Sequence, residues 1–221
     1  MKEAWDKVIV ALDVTSEDEA KKILDALSVK VKKFKIGLIV YTKFGPKVIN
    51  WVKERGCDVF LDFKLFDIPN TMIETAKNFI DLGAWAFTVH LKAGQKNLAG
   101  LSAAVTKEAK RKNKRKPLII GVTELTSSES PLKRVMELAG VAAASNMDGV
   151  VCSVWEAKAI KKKHKLVTIT PGIRNKKASD DQRRVATVKD AVKNKVDYFV
   201  VGRPIIKAKD YLKAAQGLLK E

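Results

Sequence analysis

Phe60-Leu-Asp-Phe-Lys-Leu-Phe-Asp-Ile-Pro-Asn-Thr71 places Asp62, Lys64 and Asp67 within six residues at the end of an apolar run. Residues 57–63 are short, apolar and rich in Val and Phe, which reads as a buried strand. Pro69, Asn70 and Thr71 stop that strand and can start a helix. Side chains two apart on a strand share a face, so Asp62 and Lys64 are expected to project together, with Asp67 beyond them in the loop. Charges on the inner side of a buried strand cost on the order of several kcal/mol each unless they are paired. An isolated Asp-x-Lys reads first as a structural ion pair. The rest of the chain changes that reading.

On either side the chain alternates apolar runs with amphipathic stretches. Residues 7–14 (KVIVALDV) read as a strand ending near Asp13, and Thr15-Ser-Glu-Asp18 starts a helix to about Leu27. Residues 34–40 read as a second strand carrying Lys35, followed by a helix over 44–55 closed by Gly56. The quoted stretch is the third strand, with its helix from Asn70 to about Leu82. Further strands are expected at 85–90, 117–122, 148–152, 166–170 and 197–201, each followed by a helix. The longest loop runs from Pro171 to Gln182, and Gly202-Arg203-Pro204 introduces the last helix.

Strands that are continuously apolar rather than alternating belong to parallel sheets buried on both faces. Eight strand–helix units suit a closed (β/α)8 TIM barrel forming one domain over residues 1–221. The alternative is an open doubly wound sheet. Against it, no glycine-rich fingerprint follows the first strand, and polar residues recur instead at the C-terminal ends of the strands, where barrel enzymes place their chemistry.

The chain has 221 residues, 46% of them hydrophobic, and 43 Lys and Arg against 25 Asp and Glu, a net charge of +18. Such a balance allows a nucleic-acid partner, an anionic substrate or lysine-rich solvated helices. The densest basic runs, 107–116 and 161–165, fall at expected helix ends and lack interleaved aromatics that could stack bases, so nucleic acid is the minor reading. The N-terminal apolar run is too short for a signal sequence or membrane span, which points to a cytoplasmic protein without a membrane partner. Cys57 and Cys152 lie in apolar runs without metal-ligand spacing and are expected to be buried free thiols.

On a barrel, Asp13, Lys35, Asp62, Lys64 and Asp67 would gather above the first three strands. Thr126, Arg174, Gln182, Gly202 and Arg203 would line the opposite side. Barrels often hold phosphate with the loops after strands 7 and 8, and Gly202-Arg203 offers close backbone approach with a forked donor.

These residues resemble the orotidine 5′-phosphate decarboxylase family. The resemblance rests on Asp62-x-Lys64-x-x-Asp67-Ile-Pro-x-Thr71, Ala11-Leu-Asp13, Lys35-Ile-Gly37, Leu125-Thr-Ser127, Asp148-Gly-Val-Val-Cys-Ser153, Thr170-Pro-Gly-Ile-Arg174, Asp181-Gln182 and Val201-Gly-Arg203. Asp-x-Lys-x-x-Asp alone marks a wider group of barrel decarboxylases and synthases acting on sugar phosphates; the Asp-Ile-Pro-x-Thr and Thr-Pro-Gly-Ile-Arg extensions narrow it. The resemblance implies conversion of orotidine 5′-monophosphate to uridine 5′-monophosphate without metal or organic cofactor. Lys64 would protonate C6, Asp62 and Asp67 would flank the leaving carboxylate, and Lys35 and Asp13 would complete the charged network and hold the ribose. It further implies that Thr126 contacts the pyrimidine, that Arg203, Gly202 and Gln182 hold the phosphate, and that the loop from Arg174 to Gln182 closes over it. A homodimer with shared sites is also implied, in which Asp67 and Thr71, from the loop bearing Ile68, reach the neighbouring subunit's site. His90-Leu-Lys-Ala-Gly94 departs from the family pattern, and His90 itself reads as a hydrogen-bonded residue at a strand end. The competing activity is that of a metal-dependent sugar-phosphate lyase of the same wider group.

Overall fold

The computed structural model of the chain describes residues 2–124, 131–174 and 186–220. In chain order its elements are α1 Lys2–Asp6, β1 Val8–Ala11, α2 Glu17–Leu27, β2 Lys33–Gly37, α3 Leu38–Phe44, α4 Lys47–Lys53, β3 Asp58–Leu65, α5 Pro69–Asp81 and β4 Ala86–His90. After a 3-10 turn at Leu91–Ala93 come α6 Gln95–Arg111, β5 Leu118–Val122, α7 Leu132–Ala144, β6 Gly149–Val151, α8 Val154–His164 and β7 Val167–Thr170. The chain then forms α9 Val188–Lys193, β8 Tyr198–Val201, α10 Arg203–Ile206 and α11 Tyr211–Lys220. The strands pair in parallel in sequence order and close where β8 meets β1. This is the (β/α)8 barrel that the apolar strands imply.

Two apolar layers hold it. The barrel interior is filled by Ile9, Phe60, Trp85, Ile120, Ile169 and Val200, and a larger cluster lies between strands and helices, with Phe34, Phe87 and Phe199 fully buried. Each such side chain contributes about 1.5–3 kcal/mol by leaving water. Towards the N-terminal ends of the strands, Trp85 meets Phe60 and Tyr198 edge to face, and the Lys33 ammonium lies over both the Trp85 and Tyr198 rings at 5.4 Å.

Three local expectations are corrected. The second strand stops at Gly37 rather than Val40, because the chain turns there into α3, leaving the apolar Leu38 and Ile39 exposed rather than buried in the sheet. The helix expected over 44–55 is the shorter α4, Lys47–Lys53, and a separate α3 precedes it, ended where Gly45 takes φ +59° and Pro46 follows. The final helix is divided likewise into α10 and α11. Elsewhere caps match the sequence: the Ser16 side chain accepts from Glu19 N, with three acidic residues in the first turn of α2.

The basic runs do sit at helix ends, and several of their charges are paired. Lys112 and Lys114 meet Asp81, Arg115 meets Asp58, Lys116 meets Asp148, and Lys161 meets Asp197. Both cysteines are free and buried. Among the described residues no helix is long and apolar enough to cross a membrane.

Candidate active site at the C-terminal mouth of the barrel

The third strand runs two residues beyond its expected end, and its last residues are irregular. Its register with β4 shifts between Leu61 and Leu65, and within that shift Lys64 takes φ +49°, a left-handed conformation that costs a non-glycine residue about 1–2 kcal/mol. The simple alternation that would place Asp62 and Lys64 on one face is therefore broken. The two side chains meet all the same, Lys64 Nζ donating to Asp62 Oδ1 at 2.9 Å.

Asp62 anchors the group. Its other carboxylate oxygen lies 3.5 Å from Lys35 Nζ, which lies 3.5 Å from Asp13 Oδ1. The order along the chain of contacts is Asp13, Lys35, Asp62, Lys64, with alternating sign. Burial alone would raise the Asp62 pKa, but the Lys35 and Lys64 charges, with hydrogen bonds from Lys64 and Thr88, outweigh it and hold the carboxyl below its usual value. Gly37 makes room for this arrangement: a Cβ there would stand 3.0 Å from Lys35 Nζ and 3.1 Å from Asp13 Oδ1.

A cleft of about 540 Å3 opens beside the network. Asp13, Lys35, Asp62 and Lys64 line it on the β1 to β3 side, and Arg174, Gly202 and Arg203 line it from the ends of β7 and β8. Arg174 is 7% exposed, and Arg203 begins α10 directly after Gly202. The structure thus brings Asp13, Lys35, Asp62 and Lys64 around one cleft with Arg174, Gly202 and Arg203. Asp67, Ile68 and Thr71 stand apart: all three are exposed, and none is among the described residues lining the cleft. Asp67 turns back on its own loop and accepts from Ile68 N at 2.6 Å. Thr126 and Gln182 lie outside the described residues.

Three features escaped sequence reasoning. Thr88 on β4 bonds both Asp62 and Lys64, a contact that depends on the register of two strands. Glu124 lines the cleft just past β5 and pairs with Lys92 at 3.2 Å and Arg134 at 3.8 Å. Lys207, just past α10, lines it as well. The lysine in His90-Leu-Lys-Ala-Gly94 was visible as a departure, but its acidic partner was not. His90 accepts from Lys92 N at 3.3 Å, and its ring lies tilted 5.6 Å from that of Phe66; burial, then the Lys92 charge, lowers its pKa. Among the described residues no group of three or more His, Cys, Asp or Glu side chains is arranged to hold a metal ion.

A closed (β/α)8 barrel with an acid–base network and arginines facing one another across its C-terminal mouth defines a barrel enzyme built for an anionic substrate. Residues 6–218 match the sequence profile of the Orotidine 5'-phosphate decarboxylase / HUMPS family, and the chain belongs to that family. It is 38% identical over 227 aligned positions to an orotidine 5'-phosphate decarboxylase of Pseudomonas fluorescens, an alignment covering 97% of this chain and 96% of the relative. Among solved structures, the orotidine 5'-phosphate decarboxylase of Lactobacillus acidophilus superposes with a TM-score of 0.81 at 32% identity, covering 97% of this chain and 98% of that one. The orotidine 5'-monophosphate decarboxylase of Methanocaldococcus jannaschii, complexed with inhibitor BMP, superposes with a TM-score of 0.77 at 27% identity, covering 97% of each.

Proposed function

We propose that the chain decarboxylates orotidine 5′-monophosphate to uridine 5′-monophosphate, the step that completes a pyrimidine nucleotide, and that Lys64 supplies the proton. Family membership and relatives named for this reaction support the activity. The observation that carries the mechanism is the alternating Asp13, Lys35, Asp62, Lys64 network on one wall of a cleft with Arg203 on the other.

In this reading the bond between C6 and the carboxylate breaks, CO2 departs, and the electron pair stays on C6. Lys64 Nζ then transfers its proton to C6, and the neutral amine regains a proton from solvent. Asp62, held ionised beside the Lys64 ammonium, repels the substrate carboxylate. As CO2 leaves, that repulsion ends and the ammonium stabilises the developing carbanion, so binding favours the transition state over the ground state. Arg203, with its forked guanidinium, and the Gly202 backbone would hold the 5′-phosphate, and Lys35 with Asp13 would hold the ribose. Thr126 is assigned to the pyrimidine, and Gln182 and Arg174 to the phosphate side and its closing loop.

The second carboxylate comes from a partner subunit in this reading. Phe66 is 62% and Ile68 66% exposed beside Asp67, an apolar edge suited to a two-fold interface that would carry Asp67, Ile68 and Thr71 to the other subunit's cleft. A cytoplasmic homodimer without nucleic-acid partners is the expected form.

Loss of orotidine 5′-monophosphate absorbance by chelator-treated protein tests the activity; a requirement for added metal would favour the sugar-phosphate lyase reading. Lys64→Ala should lose at least about 100-fold in kcat, the usual worth of a general acid, while still binding uridine 5′-monophosphate. Mixing Lys64→Ala with Asp67→Ala subunits should restore activity, since one site of a mixed dimer has both native residues. An inactive mixture with verified subunit exchange would return Asp67 to its own barrel.

A further inference from the structure

Thr88 lies in the middle of β4, 0% exposed. A buried hydroxyl must find hydrogen-bond partners or cost stability. Thr88 Oγ1 donates to Asp62 Oδ1 at 3.0 Å and accepts from the Lys64 backbone N–H at 2.8 Å. The direction of each bond is dictated by its partners, because a backbone amide can only donate and an ionised carboxylate can only accept. The second bond falls inside the register shift between β3 and β4, where the regular ladder is interrupted and Lys64 is left-handed. A single side chain from the neighbouring strand therefore grips the strained backbone of the lysine and the carboxylate that the lysine's ammonium contacts.

We infer that Thr88 is a positioning residue for the decarboxylation site. Its hydroxyl holds Lys64 in the left-handed backbone conformation and fixes the Asp62 carboxylate, so that Lys64 Nζ and Asp62 Oδ1 meet despite the broken strand alternation. This rests on the reading of Lys64 as proton donor. Thr88 is not among the described residues lining the cleft, so its effect passes through Asp62 and Lys64 rather than through substrate contact. Without the hydroxyl, Lys64 N–H is orphaned and the backbone gains reason to relax toward ordinary strand geometry, which would carry the ammonium away from C6. Misplacement of a reacting group slows chemistry far more than it weakens binding.

The test compares Thr88→Val, which keeps the shape and removes the hydroxyl, with Thr88→Ser, which keeps the hydroxyl. Thr88→Val should lower kcat about 10- to 100-fold, the worth of a hydrogen bond to a charged group, with KM and uridine 5′-monophosphate affinity changed less than about threefold. Thr88→Ser should hold kcat within about threefold of wild type. A purely structural threonine would give Thr88→Val a lower Tm and an unchanged kcat, and that result overturns the inference. Should Thr88→Val not fold, Thr88→Cys, of similar size but a weak donor, is measured against the same expectations. Lys64→Ala run in parallel separates the two claims. If Lys64→Ala is inactive and Thr88→Val turns over normally, only the role of Thr88 fails; if Lys64→Ala turns over normally, the proton-donor reading fails and takes this inference with it.

Discussion

At the N-terminal end of the barrel, Asp148 and Asp197 are each closed off by one lysine and by donors from a neighbouring strand; at the C-terminal mouth, lysines and aspartates alternate along a chain of contacts beside an open cleft. Lys116 Nζ reaches both Asp148 oxygens at 2.7 and 2.6 Å, and Asp148 Oδ2 also accepts from Ile119 N at 2.8 Å. Asp197 repeats the pattern with Lys161, Thr168 N and Thr168 Oγ1. Each carboxylate there precedes a strand and ties it to a neighbouring strand. At the mouth, Lys35 is shared between Asp13 and Asp62 at 3.5 Å from each, Lys64 is left-handed, and the group borders an open cleft. Charges at the base are arranged to be satisfied within the protein. Those at the mouth alternate beside a space, which is where a substrate's charge could be answered.

This contrast can be broken by mutation. The largest expected effect is at Asp62: Asp62→Asn should cut kcat by about 100- to 1,000-fold, the range for losing one preorganised electrostatic partner. A loss under tenfold would make the network structural, like its counterpart at the base. Gly37→Ala comes next, at about tenfold in kcat/KM, because the new methyl must displace Lys35 Nζ or Asp13 Oδ1. An unchanged kcat/KM would show that the spacing of that pair is not critical.

A pH measurement sharpens the same comparison. The Asp62 carboxyl is held below its usual value in the fold, so its contribution to stability is complete above pH about 4, the ordinary value, and is lost as pH falls through the lowered one. The Tm gap between wild type and Asp62→Asn should be widest near neutrality and shrink below about pH 4. A gap independent of pH would mean that ionisation of Asp62 does not stabilise the fold. The smallest effect is expected at the base, where Lys116→Ala should cost about 0.5–1 kcal/mol, a Tm loss of about 1–4 °C, with kcat unchanged. A fall in kcat there would couple the two ends of the barrel.

Lys64 and Asp62 were legible in the sequence because charge in an apolar run is improbable without a use, and Arg203 because it follows Gly202 at a strand end. Eight apolar runs separated by amphipathic stretches were enough for the barrel, since each strand's burial on both faces is written into its own residues. Three things were not local. Leu38 and Ile39 continue the apolar run of β2, so only the end of strand pairing shows that the chain leaves the sheet at Gly37. The left-handed Lys64 follows from a register shift between β3 and β4, and Thr88 is an ordinary strand threonine until that register sets its hydroxyl against Asp62. Glu124 gains its role from Lys92 and Arg134, which reach it from other elements. Periodicity and residue type determine which segments are buried and which charges need partners; the pairing of strands decides which atoms meet, because hydrogen-bond geometry is settled over distances smaller than the spacing between residues.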